Sequence, residues 1–342
     1  MIWVLGRRFT RSLSRRLTHS LVAGPPITGP ERDNQPATAW LIDSQKNPKS
    51  LPSLVRKNSP SYGACNRLSA CRPGGQLIKS ITVTHRLAVF LAIAFVCVVV
   101  TVIIAPRPVP QDQQYHQFAD TRPFLGIPNF GDTASDIVFV LAGVIGLVVL
   151  RGTGRGMAPE EPFLPAVIFC IGAILTGAGS TVYHWHPSDA SLVFDRLGMV
   201  IAFAAFIALL MSHFDIAGAR VALPIFLVAG VGSVLYWIYF GDLRPYGIFQ
   251  AFPVILFVLG SLVFPHRHTR HAMLWLVTIG YVLAKVCESL DRRIYDMGGI
   301  VSGHTLKHLI AGVSLGMTIV WLKQRRPVRT SAQRPCFVNR AM

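Results

Sequence analysis

Apolar and polar positions fall in long alternating blocks along this chain, and the apolar blocks have the length of membrane crossings. The first clear run, RLAVFLAIAFVCVVVTVIIA at 86–105, has almost no polar residue. About 20 apolar residues carry a helix across the hydrocarbon core, so this run qualifies as a span. Roughly seven further spans are predicted on the same ground, at about 134–151, 163–184, 191–211, 221–240, 247–264, 272–290 and 303–322. Several contain Gly and Pro, which membrane helices tolerate better than soluble ones. The connections are short, as expected of antiparallel neighbours in a bundle. The predicted fold class is therefore all-α. It is a polytopic membrane helical bundle, with a seven-helix core at 134–322 and one preceding transmembrane helix at 85–105.

The blocks between and around these runs complete the organisation. Residues 1–84 are rich in Arg, Ser, Pro and Asn, as in RRFTRSLSRR. They cannot bury enough apolar surface to offset ordering entropy, and are expected to be disordered. The opening MIWVLGRRFTRSLSRRLTHSLVAG fits a short surface helix, a transit-like segment that is Arg- and Ser-rich without acids, or residues upstream of the true start codon. Residues 106–133 form a Pro-rich polar loop outside the membrane, and 323–342 a basic tail.

Composition agrees. The 342 residues are 51% hydrophobic and 14% charged, against about 25% charged in a typical soluble domain, and mean hydropathy is +0.46. The net charge of +17 lies mostly before residue 85 and after residue 322. A nucleic-acid binder can be equally basic but would not carry such apolar runs, so no nucleic-acid partner is expected. Lys and Arg instead mark cytoplasmic segments. About eight spans put both termini in the cytoplasm, together with RGTGR at 151–155 and HRHTRH at 266–271. The opposite loops, 106–133, 185–190, 241–246 and 291–302, carry Arg107, Arg122, Arg244, Arg292 and Arg293, so the rule is obeyed but not cleanly. The expected location is a bacterial inner membrane, multi-pass. The six cysteines, Cys65, Cys71, Cys97, Cys170, Cys287 and Cys336, show no CxxC pair and no disulfide framework and are expected to be free.

Two stretches carry chemistry. GAGSTVYHWHPSDASLVFD at 177–195 ends one span with Ser180 and His184 and opens the next with Asp195, while SGHTLKHL at 302–309 supplies His304 and His308. Residues four apart share a helix face, so Ser180 lies with His184 and His304 with His308. The alternating topology places all of them near one membrane face, the outer one. Three His ligands leaving a fourth position for water suit a catalytic zinc, whose bound water has its pKa lowered to about 7. A lone His at an interface more often just hydrogen-bonds to a neighbour; the H-x-x-x-H pair improves the odds for a metal.

Asp195 opens SLVFDRLGMVIAFAAF. It could serve the helix dipole, pair with Arg196, or act as base and then acid for the attacking water. The Ser180 hydroxyl could bond a carbonyl one turn back or donate to an oxyanion; a nucleophilic role is less favoured. His186 reads as solvated, and HRHTRH as a basic interfacial loop. Glu288 and Asp291 could pair with Lys285, Arg292 or Arg293 or support the site. Asp242 and Arg244 are expected to pair with each other.

These residues resemble a known family. SxxxH in GAGSTVYH, Asp195 eleven residues after His184, and the late HxxxH in SGHTLKH resemble the alkaline ceramidases, within the CREST superfamily of heptahelical membrane hydrolases. NFGDTASDIVF and VCESL extend the likeness, which spans about 118–322 and leaves 1–105 outside it. The resemblance implies zinc held by His184, His304 and His308, with Ser180 and Asp195 as catalytic partners. It also implies a lipid substrate drawn from the bilayer, ceramide, cleaved at its amide to a sphingoid base and a fatty acid. Eukaryotic members also bind calcium through acidic residues near the start of the core. Here Asn129 stands where an acid would be expected, which speaks against calcium. No obligate protein partner is evident. The alternatives are a heptahelical receptor or scaffold with a structural zinc closed by a fourth ligand such as Asp195, and a transporter, which would show internal repeats that this sequence lacks.

Overall fold

The computed structural model describes residues 73–153 and 163–328. The expectations for residues 1–72, for the end of RGTGR and for the tail beyond 328 lie outside the described residues, as do Cys65, Cys71 and Cys336.

The described residues form an all-α bundle, with no β-strand among them. In chain order the helices are α1 Pro73–Ile104, α2 Phe130–Ser135, α3 Ile137–Thr153, α4 Phe163–Trp185, α5 Asp189–His213, α6 Ala219–Phe240, α7 Arg244–Val263, α8 His271–Ser289, α9 Asp291–Gly298 and α10 Gly303–Gln324. Eight spans in this set are long and apolar enough to cross a membrane, α2 and α3 together forming one of them. The side chains are arranged accordingly. Val228, Leu262 and Ile104 are 75%, 76% and 77% exposed on outer faces, whereas Asp132, Asp136 and His184 are fully buried. Apolar surface on that scale is foreign to a soluble monomer, so the chain fits a multi-pass membrane protein.

Local chemistry sets the helix ends. Ser188 caps α5 by accepting from Ser191 N while the Ser191 hydroxyl returns the bond, a capping box. The Ser302 hydroxyl caps α10 by accepting from Thr305 N at 2.9 Å. Both caps lie at the same end of the bundle as the C-terminus of α4, which fixes where the site forms.

Three segments differ from the sequence expectation. The first helix begins at Pro73 rather than near 85. Proline is tolerated at a first helical position because its missing N–H would have no partner there, and extending an existing helix costs far less than starting one. Residues 291–298, expected to be loop, form the short helix α9. It is too short and polar to cross a membrane, and it stops at Gly299 with φ 62. The loop 106–133 contains a 3₁₀ turn at Gln113–His116 and the start of α2, entered through Asn129 at φ 45.

Around the bundle, α8 packs on α10, α10 on α3, α3 on α4, α4 on α5, α5 on α6 and α7, and α6 on α7; α1 lies outside against α7. The tightest seam joins α4 to α5. A Cβ on Gly179 would run into the backbone of Phe194 and Asp195, and one on Gly198 into the backbone of Leu175 and Thr176. Glycines at such crossings let backbones approach closely, and here they press the end of α4 carrying Ser180 and His184 against the start of α5 carrying Asp195.

Candidate metal centre

His184 ends α4, and His304 and His308 open α10 on one face. Each offers a ring nitrogen, and the three ligand atoms lie within 4.8 Å of one another. His184 Nε2 faces His304 Nε2 at 3.1 Å. Ring centroids are 5.0 Å apart for His184 and His304, 4.9 Å for His184 and His308, and 4.9 Å for His304 and His308. Among the described residues no other His, Cys, Asp or Glu group is compact enough to share one ion. At the other end of the bundle the His213 ring lies within 17° of parallel to those of His266, His268 and His271, and His213 Nε2 lies 2.9 Å from His271 Nδ1.

The sequence reading missed what aims these rings. Asp136, at the α2–α3 junction, accepts from His184 Nδ1 at 3.0 Å and places its second oxygen 3.3 Å from His308 Nδ1. His308 Nδ1 also lies 2.8 Å from Ser135 Oγ and 3.2 Å from the Asp132 carbonyl. An ionised carboxylate only accepts, so it fixes the proton on Nδ1 and leaves Nε2 with a free lone pair. Asp132 accepts from the hydroxyls of Ser302 at 2.8 Å and Thr305 at 2.6 Å, locking α2 to the start of α10. Asp291 accepts from His304 N at 2.8 Å and Ala119 N at 2.9 Å. It therefore positions the site rather than pairing with Arg292 or Arg293.

The donor set suits a metal ion. For a tetrahedral ion with Zn–N near 2.0–2.1 Å, ligand nitrogens stand about 3.3 Å apart, close to the 3.1 Å between His184 and His304. Lys307 weighs on the other side, since its ammonium donates to His304 Nε2 at 2.9 Å. That charge is offset by Glu288, whose carboxylate bonds Lys307 at 3.0 Å and also pairs with Lys285. Three further carboxyl groups, Asp132, Asp136 and Asp195, are buried in the same part of the bundle. A buried His184/His304/His308 group could thus hold a metal ion.

Ser180 and Asp195 come to the same place. Both are buried and line one cavity of about 660 Å³ with His308, Lys307 and Glu288. Asp195 interacts electrostatically with Lys307 first and with His184 next. It makes no ion pair with Arg196, its neighbour in the chain. Ser180 lies beside Asp136. Most of the remaining lining is apolar, including Phe139, Phe169, Phe206 and Leu315.

The loop 106–133 closes over this end. The Phe118 ring lies 4.9 Å from His184 and 5.1 Å from His304. The Asn129 side chain donates to the His184 carbonyl at 2.7 Å, so the residue in the expected acid position serves as a tie to α4. Tyr115 donates to Glu288 at 3.0 Å. Burial, with Glu288 beside it, holds that phenol well above its usual pKa, which keeps it a donor. Arg122 holds the Asp120 carboxyl below the usual carboxylate range and bonds the Ile300 carbonyl at 2.8 Å. Asp242 and Arg244 pair at 2.8 Å, as the sequence suggested, and Asp242 also accepts from Val109 N.

Because Asp136 touches two of the three imidazoles, Asp136→Asn is expected to lower metal affinity by about 10- to 100-fold. Competition against a chromophoric chelator measures it. An affinity equal to that of the unaltered protein would remove Asp136 from the site.

In comparisons with known proteins, no family model matches the chain and no curated protein matches it.

Proposed function

We propose that this chain is an integral membrane amidase. In this reading it hydrolyses the amide of ceramide or a similar N-acyl lipid to a sphingoid base, or another amine, and a fatty acid. Zinc is held by His184, His304 and His308. One observation carries the reading: three imidazoles converge inside a bundle of membrane-length helices, and one of them, His308, lines a largely apolar cavity together with the Asp195 carboxylate and the Ser180 hydroxyl. The resemblance of the S-x-x-x-H, Asp195 and H-x-x-x-H pattern to the alkaline ceramidases points the same way.

When bound, zinc supplies Lewis-acid activation of water and of the amide carbonyl. The rest is the work of the chain. Asp195 takes the proton from the attacking water and passes it to the leaving nitrogen, so that water adds across the C–N bond and amine and carboxylic acid leave. Ser180 donates its hydroxyl to the oxygen on which negative charge develops. Asp136 and Ser135 hold His184 and His308 in register. Phe118 and the apolar lining exclude bulk water, which strengthens each of these polar contacts. The same lining receives the acyl chain.

The test is direct. Purified protein, reconstituted in lipid nanodiscs, is given ceramide with a fluorescent acyl chain. Fluorescent fatty acid is expected to appear, to stop on treatment with a zinc chelator, and to return when zinc is restored. Zinc-loaded protein that releases no fatty acid from ceramides or from a panel of simpler N-acyl lipids would sink the proposal.

A further inference from the structure

The cavity contains a cation that the amidase reading does not use. Arg196, on α5, is 6% exposed and lines the cavity next to Asp195. Its guanidinium is clamped between two rings, 4.0 Å from the centroid of Trp237 and 4.7 Å from that of Tyr246. Nη2 donates to Gln111 Oε1 at 2.5 Å. Nη1 is buried with no hydrogen-bond partner. Tyr246 lies close by, and its hydroxyl also contacts the Met199 sulfur at 3.6 Å.

Comparison with the other cations of the cavity sets Arg196 apart. Lys307 and Lys285 are both paired with Glu288. No carboxylate among the described residues forms an ion pair with Arg196, although Asp195 is near enough to interact with it electrostatically, as it does with Lys307 and His184. A charged donor left unsatisfied in a buried place is costly. A planar guanidinium held flat between aromatic rings presents its edge as a fork, the shape that receives carboxylate or phosphate oxygens.

The position fits a lipid headgroup. Seven residues into α5, Arg196 lies about 10 Å below the helix start at 1.5 Å per residue. Gln111, which holds it, belongs to the extramembrane loop. Arg196 and Gln111 thus form a polar end of the cavity, while Phe206, Val254 and Leu315 form an apolar stretch. The cavity volume falls in the ordinary range for small-ligand sites, about 300–1,000 Å³.

We propose that Arg196 recognises an anionic group, carboxylate or phosphate, on the amine portion of the lipid. The preferred substrates are then anionic N-acyl amphiphiles, such as N-acyl amino acids, rather than neutral ceramide. The choice of an N-acyl lipid rests on the amidase reading above; the anion site itself does not.

Binding is therefore measured on metal-free protein in neutral-lipid nanodiscs, where no hydrolysis intervenes. The probes are N-oleoylglycine, the phosphate monoester of N-oleoylethanolamine, and neutral N-oleoylethanolamine. Calorimetry gives affinity, and quenching of the Trp237 indole stacked on Arg196 reports occupancy at that place. Unaltered protein is expected to bind at least one anionic probe about tenfold or more tightly than the neutral one, the scale of a charge-assisted pair. Whichever anionic probe binds tighter identifies carboxylate or phosphate as the group read. In Arg196→Gln the anionic and neutral probes are expected to bind within about threefold of each other, and in Arg196→Lys part of the preference should return. Equal affinities for all three probes in the unaltered protein overturn the proposal whether or not any variant folds. So does a preference that survives Arg196→Gln intact. Anion-selective binding with no turnover of any N-acyl lipid by zinc-loaded protein would defeat the amidase reading and leave the anion site standing.

Discussion

Under the proposed zinc mechanism, protein carrying His304→Ala is expected to bind less than about a tenth of the zinc that the unaltered chain binds, because a site with three protein ligands keeps little affinity with two. Amide hydrolysis falls with it to background. The expectation rests on His304 Nε2 facing His184 Nε2 at 3.1 Å, so that deleting the ring removes a wall of the site. It also removes the ring nitrogen that accepts from Lys307, leaving that ammonium bonded to Glu288 alone beside the site. Elemental analysis of the purified protein gives the metal content, and circular dichroism checks that the helices persist. Full activity in metal-free His304→Ala protein would end the zinc mechanism.

The second large effect separates chemistry from metal binding. Asp195→Asn is expected to keep its zinc and lose about 10²- to 10⁴-fold in kcat, the usual contribution of a positioned general base. Asp195 reaches the site from α5, whereas the three imidazoles sit on α4 and α10, so the amide variant leaves the histidines and their supporting carboxylates in place. Loss of zinc along with activity would make Asp195 a fourth ligand, which is the closed arrangement of a structural site. Retention of both would make it a helix-terminal acid of no catalytic consequence.

Much of this was legible in the sequence because each part carries a local signal. The spans announce themselves through unbroken apolar length, and from residue 134 on hydropathy located the seven membrane-length helices of the structure but not the short α9. The pairs Ser180 with His184 and His304 with His308 follow from four-residue spacing, and the alternation of spans carries them to one end. What stayed hidden depends on contacts between distant segments. Asp132 and Asp136 are also four apart, in GDTASD, a spacing that marks one helix face, but nothing local says that the face meets imidazoles from α4 and α10. Lys307, a charged residue within an otherwise apolar helix, was a signal of the kind that marks function in membranes. Its pairing with Glu288 required the fold. The short helix α9 escaped because a polar stretch of that length gains its order from what holds it, here Asp291 bonded to His304 N and Ala119 N.

The separation of the ligands along the chain has a consequence for biogenesis. His184 and His304 stand 120 positions apart, so the three imidazoles cannot meet until α10, which carries His304 and His308, has been made and docked. Any shortened product ending before α10 has one imidazole and no cage. An ion held there, as proposed, would favour only chains whose α10 has inserted and docked, since a ligand stabilises the state that binds it. Metal content would then separate molecules with α10 in place from those that lack it.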